Sequence, residues 1–114
     1  MILVIGGVCQ GKTEAAEALA AACGGTVVDD IHLRIREDLE KGLSRKETEE
    51  RILELLSAES EPVAVAAEIG CGIVPADAFE REYRETAGRI LCTIAGKASA
   101  VYRVMAGISV KIKG

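Results

Sequence analysis

Gly6, Gly11, Lys12 and Thr13 stand at the spacing G-x-x-x-x-G-K-[ST], with Gly7, Val8, Cys9 and Gln10 as the four spacers. The chemistry served by this pattern is the binding of polyphosphate. Gly6 and Gly11 let the chain turn back, so that successive backbone N–H groups converge on phosphate oxygens. Lys12 can reach the β- and γ-phosphates as a point charge, and the Thr13 hydroxyl can bind Mg²⁺. The helix that starts here turns its positive end toward the same anion. An ordinary glycine turn is the plain alternative. The apolar run Met1 to Ile5 before it and the helix-forming run after it are, however, the setting that phosphate binding requires. Gly6, Gly7, Val8, Cys9, Gln10, Gly11, Lys12 and Thr13 are therefore the expected nucleotide-binding segment. ATP and GTP are both open, since no base-reading motif is evident.

Three carboxylates could work with this loop. Asp29 and Asp30 follow the apolar Thr26-Val27-Val28. Asp29, which continues that run directly, is the first choice to hold Mg²⁺ and orient an attacking hydroxyl; Asp30 serves equally well as a helix cap. Glu68 ends the apolar run Val63 to Ala67, where an ionised carboxylate needs a partner or a ligand. It is a candidate for substrate binding or general base, and a salt bridge to Arg84 or Arg89 is the structural alternative. His32, the one imidazole, has no histidine or cysteine beside it and reads as a surface helical residue.

Alternating elements must place these groups. Thr13 to Cys23 is alanine-rich and stops at Gly24-Gly25, the usual signal for the end of a helix. With the strand Thr26 to Val28 it begins a right-handed parallel α/β unit. Ile31 to Lys41 is amphipathic and is broken by Gly42. Ser44-Arg45-Lys46-Glu47 is a capping box ahead of a helix bearing Ile52, Leu53, Leu55 and Leu56. The charges of that segment, from Arg45 to Arg51, read as a solvated face. Val63 to Ala67 suits a buried central strand. The glycine-containing loop Glu68 to Pro75 should therefore lie at that strand's carboxyl end, near the phosphate loop. Asp77 can cap a long helix to about Lys97, with Phe79, Tyr83, Ala87, Ile90, Leu91 and Ile94 along one stripe and Gly88 at an expected close packing contact. Val101 to Met105 and Ile108 to Ile112 read as a hairpin around Ala106-Gly107.

Composition sets the limits. With 114 residues, 49% of them hydrophobic, one domain over residues 1–114 is expected. A net charge of −4 and a pI near 5.1 provide no positive field for nucleic acid. No apolar run reaches membrane-spanning length, and the apolar start lacks the basic lead-in of a signal peptide. The four cysteines, Cys9, Cys23, Cys71 and Cys92, are scattered and read as reduced thiols of a cytoplasmic protein, with Cys9 a spacer of the phosphate loop. Few aromatic residues and many small apolar ones suggest that a partner surface completes the burial.

Glu68-Ile69-Gly70-Cys71-Gly72-Ile73-Val74-Pro75, then Arg81, Tyr83-Arg84-Glu85 and Ala87-Gly88-Arg89, and finally Met105 to Lys113, resemble the adenosylcobinamide kinase/adenosylcobinamide-phosphate guanylyltransferase family. Its members carry an E-V-G-x-G-I-V-P loop, an F-R-D-x-x-G-R helix and a terminal S-G-x-x-V-x-I-K. Gly6 to Thr13 is similar to the family's G-G-x-x-S-G-K-S. The resemblance covers both ends, roughly half of the chain. It implies phosphorylation of the aminopropanol hydroxyl of adenosylcobinamide, the corrinoid substrate, and a homo-oligomer. The family's second step, transfer of GMP, runs through a histidine in an R-I-x-x-H segment. Matched to Arg34-Ile35, that segment puts Asp38 in place of the histidine. Matching Val27 to Asp30 with the family's later acidic strand instead deletes the histidine-bearing region and keeps the acid near Mg²⁺. Ala67 and Leu91-Cys92 also stand where the family has asparagine and an asparagine–glutamine pair.

The resulting expectation is an α/β fold, a three-layer phosphate-loop NTPase-like domain with a mostly parallel sheet of about five strands. The expected function is nucleotide-dependent phosphorylation of adenosylcobinamide in cobalamin biosynthesis or salvage, without the guanylyl step. Lys12, Asp29 and Glu68 are its expected catalytic residues, and Thr13 and Asp29 its Mg²⁺ ligands. The alternative is a non-catalytic nucleotide-binding subunit or sensor related to corrinoid enzymes.

Overall fold

The structure is a computed structural model and describes residues 1–7, 10–69 and 77–114. Among the described residues, five strands and four helices follow one another as β1 (Ile2–Gly6), α1 (Lys12–Cys23), β2 (Thr26–Val28), α2 (Ile31–Glu40), α3 (Arg45–Ser57), β3 (Pro62–Ala67), α4 (Ala78–Lys97), β4 (Ala100–Met105) and β5 (Ile108–Lys113). The strands form one sheet in the order β2-β3-β1-β4-β5. Every pairing is parallel except that of β4 with β5. The expected α/β class and mostly parallel five-stranded sheet are both found.

Period-two alternation divides the apolar side chains between two cores. Val4, Val63, Val65 and Val104 face one way and pack against Ala16 and Ala20 of α1. Leu3, Ala64, Ala66 and Val101 face the other way, against Ile31 and Ile35 of α2, Ile52 and Leu56 of α3, and Tyr83, Ala87, Ile90 and Ile94 of α4. The result is helix, sheet, helices: three layers. Burying each of these isoleucine side chains contributes about 1.5–3 kcal/mol. All six residues of β3 are buried, which is why it lacks the polar alternation of a half-covered strand.

Local signals set the element ends. Ser44 and Glu47 form the complete capping box at the start of α3. The Asp77 carboxylate accepts from the Phe79 and Glu80 N–H groups at the start of α4. Ala106 and Gly107, both at positive φ (50° and 77°), make the tight turn between β4 and β5. Two expectations need correction. Gly88 is exposed, and a Cβ there would meet nothing within 4 Å, so no close packing calls for glycine. The charges of α3 are more than a solvated face: Arg45 reaches Glu82 of α4 at 3.0 Å, and Arg51 reaches the buried Asp38 of α2 at 3.6 Å.

Among the described residues, no helix is long and apolar enough to cross a membrane. Cys23 and Cys92 are exposed free thiols. Cys9 and Cys71, as well as the loop from Gly70 through Pro75, lie outside the described residues.

Candidate active site

Parallel strands deliver their carboxyl ends to one edge, and the strand order sets which residues meet there. β1 brings in Gly6 between β3 and β4, in register with Ala67 and Val104. Glycine is required at this position by space: a Cβ on Gly6 would lie 2.5 Å from the Val104 carbonyl oxygen. Gly11 is required by conformation, with φ at 87° as the chain enters α1. Lys12 Nζ donates to the Gly7 carbonyl at 2.6 Å, which folds the ammonium back over the loop. Val8 and Cys9, the other spacers expected in the nucleotide segment, lie outside the described residues. Gln10 turns toward the end of the chain: its Oε1 accepts from the Ala106 N–H, and its carbonyl accepts from the Gly107 N–H at 2.9 Å. The β4–β5 turn thus rests on the phosphate loop.

Thr13 and Asp29 come together from the starts of α1 and the β2–α2 connection, with Thr13 Oγ1 and Asp29 Oδ2 3.4 Å apart. The other carboxylate oxygen, Oδ1, accepts from the Asp30 N–H at 2.8 Å, which fixes its direction. Neighbouring ligand oxygens around an octahedral Mg²⁺ are separated by roughly 3 Å, given Mg–O distances near 2.1 Å. The pair fits that ion with small adjustment. Among the described residues, no group of three or more His, Cys, Asp and Glu is arranged to hold a metal. Two protein oxygens, with phosphate and water completing the shell, are the usual provision for Mg²⁺. Asp30 occupies the N-cap position of α2 at φ 54°, but its side chain accepts no capping bond, contrary to its reading as a cap.

Glu68 follows β3, and its N–H donates to the Gly6 carbonyl at 2.8 Å, so its backbone is tied to the first residue of the phosphate loop. Its carboxylate is paired, but with neither arginine expected. Arg103 of β4 places Nε and a terminal nitrogen 3.2 Å from Glu68 Oε2. Arg89 instead pairs with Glu85 on its own helix at 2.9 Å. Both members of the Glu68–Arg103 pair remain partly exposed, so water screens it and its contribution to stability is about 0–1 kcal/mol. Sequence reasoning missed Arg103. The parallel pairing of β4 beside β1, which aligns Arg103 with Ile5, is what brings it to the site.

His32 also departs from its reading. It is half-buried, and its Nδ1 accepts from the Ala67 N–H at 3.0 Å. The Tyr83 hydroxyl donates to its carbonyl at 2.9 Å. An accepting Nδ1 requires the neutral ring with its proton on Nε2. Burial lowers the His32 pKa from its ordinary 6.5; Asp30 and Asp29 oppose that shift, and Lys12 adds to it. The first turn of α2 is thereby joined to the end of β3 and to α4. Arg36, one turn further on, makes two bonds to Glu80 at 3.0 and 2.6 Å and lies over the Phe79 and Tyr83 rings. This fixes α2, and with it Asp29, against α4. The signal that could have found His32 was its place three residues after Asp29, inside the first helical turn.

Among the described residues, an ammonium (Lys12), a hydroxyl and a carboxylate 3.4 Å apart (Thr13 and Asp29) and a second carboxylate (Glu68) gather at one edge of the sheet, groups that can serve phosphoryl transfer. Residues 25–112 match the family described as cobinamide kinase / cobinamide phosphate guanyltransferase. The bifunctional adenosylcobalamin biosynthesis proteins CobU of Escherichia coli (strain K12) and of Salmonella typhimurium (strain LT2) are each 45% identical over 51 residues. The match covers 45% of this chain and 28% of each relative, so the chain aligns with less than a third of their length.

Proposed function

We propose that this chain, which belongs to the cobinamide kinase / cobinamide phosphate guanyltransferase family, transfers a phosphoryl group from ATP or GTP to the aminopropanol hydroxyl of adenosylcobinamide. The observation that carries the reading is the meeting of Thr13 and Asp29 at the mouth of the Gly6–Thr13 loop. In this mechanism Lys12 leaves Gly7 and stabilises charge on the phosphoryl group as the nucleoside diphosphate departs; Thr13 and Asp29 would hold Mg²⁺, which would supply neutralisation of the phosphate charge. Glu68 orients the acceptor hydroxyl at the opening of the loop, and Arg103 holds the carboxylate in place. No step by way of a guanylylated histidine is included. His32 Nδ1 is engaged by Ala67, and the remaining nitrogen carries the ring proton.

Nucleotide turnover measured with and without adenosylcobinamide separates this reading from a nucleotide-binding subunit without activity. Turnover dependent on the corrinoid supports the kinase. Binding with no turnover in either case would replace it by the subunit.

We further propose that residues 1–114 act as one nucleotide-binding domain in a homo-oligomer. Ile108, Val110 and Ile112, alternate residues of the edge strand β5, are 67%, 43% and 57% exposed. Such surfaces are covered when chains associate. Sedimentation should show an oligomer for the natural chain and a monomer for an Ile108→Lys, Val110→Lys variant; a monomeric natural chain would refute the association.

A further inference from the structure

We propose that the cavity between the β4–β5 turn and the start of α1 receives the nucleoside of the bound nucleotide, and that the Glu14 carboxylate at its edge selects guanine over adenine. The proposal rests on the phosphate-loop reading and adds to it the place and identity of the base.

Direction comes from the strand order. Asp29 and Glu68, which must face the transferred phosphoryl group, lie beyond β2 and β3 on one flank of β1. The β4–β5 turn lies on the other flank. A triphosphate whose terminal group faces Asp29 and Glu68 therefore carries its nucleoside away from them, toward the turn. A cavity of about 640 Å³ opens there, with Gln10, Gly11, Glu14, Ala106, Gly107 and Ser109 among its lining residues. That volume falls in the range of sites for small ligands, roughly 300–1,000 Å³.

The turn is held in register with the loop. Gln10 accepts from both Ala106 and Gly107, through its side chain and its carbonyl respectively. The two segments are so close that a Cβ on Gly11 would lie 3.3 Å from the Gly107 Cα. The wall of the cavity is thus fixed to the segment that binds phosphate, and Gln10 is its positioning residue.

The lining chemistry distinguishes the purines. Guanine presents an N1–H and an exocyclic amino group side by side, two donors that one carboxylate can accept together. Adenine presents a bare N1 lone pair at the corresponding edge, which a carboxylate repels. Glu14 is exposed at the first turn of α1, and the Ser109 hydroxyl can donate or accept.

The test is calorimetric titration of the full chain, in Mg²⁺, with GTP, ITP, ATP and inorganic triphosphate, repeated for Glu14→Ala and Glu14→Gln. The natural chain should bind GTP about tenfold or more tightly than ATP, as one further net hydrogen bond implies. ITP, which keeps N1–H but lacks the amino group, should fall between them. Glu14→Ala should reduce the GTP-to-ATP ratio to within about twofold, and Glu14→Gln, with one donor and one acceptor, should shift it toward ATP. Equal binding of GTP and ATP by the natural chain, or a ratio that neither variant moves, would overturn the proposal while triphosphate binding left the phosphate loop standing. Failure of inorganic triphosphate to bind would remove the phosphate-loop reading and this proposal with it.

Discussion

Thr13 Oγ1 and Asp29 Oδ2, sixteen residues apart in the chain, stand 3.4 Å from each other because β1 and β2 run parallel and end at the same edge of the sheet. Asp30 holds the second oxygen of the carboxylate, leaving Oδ2 directed at the hydroxyl.

This geometry makes Mg²⁺ dependence the most sensitive property of the pair. Asp29→Asn and Thr13→Ala should each raise the Mg²⁺ concentration needed for half-maximal activity and lower kcat by about 10²–10³, the scale of losing one preorganised electrostatic contact. Both side chains are partly or wholly exposed, so folding should be preserved. A Mg²⁺ titration unchanged in Asp29→Asn would exclude Asp29 as a ligand.

Gly6 tests the architecture beneath the site. A methyl group at residue 6 would overlap the Val104 carbonyl, so Gly6→Ala must push β1 and β4 apart. Overpacking of this kind costs typically 1–3 kcal/mol. Denaturant unfolding should show that loss; a variant as stable as the natural chain would mean that the two strands are not so closely apposed.

His32 predicts a pH dependence whose sign is fixed. Burial lowers its folded pKa below the ordinary 6.5, so the unfolded chain binds the proton more readily. The contribution of neutral His32 is complete above the unfolded value and is lost as pH falls through the window below 6.5. His32→Asn places an acceptor oxygen near the position of Nδ1 without a titrating group. It should flatten the acid limb of stability measured between pH 7 and pH 5. An acid limb identical in both proteins would assign it to the carboxylates.

Much of this molecule is legible in its sequence because the signals are local. The start of α1 after Gly11, the Ser44 capping box, the Asp77 cap and the Ala106-Gly107 turn are each set within a few residues, and each is found where it was expected. The place of Asp29 beside Thr13 was legible because it continues β2 directly. Arg103, His32 and Gln10 were not, since their roles depend on contacts across the sheet. Arg103 meets Glu68 only because β4 pairs with β1. His32 is drawn inward by an N–H of β3, and Gln10 clasps a turn 96 residues away. Periodicity marked the stripe of α4 correctly, yet it could not tell that Gly88 lies outside the packed face. Helical spacing gives a direction around the axis but does not identify the neighbour.

The central claim is tested most directly by mass spectrometry of adenosylcobinamide incubated with the purified chain, Mg²⁺ and either ATP or GTP. The account predicts addition of one phosphate with at least one of the nucleotides, loss of that product in Lys12→Ala, and no addition of GMP. An unmodified corrinoid, despite measurable nucleotide binding, would contradict the kinase assignment, and a GMP adduct would show that this chain retains a guanylyl-transfer step that the present site does not explain.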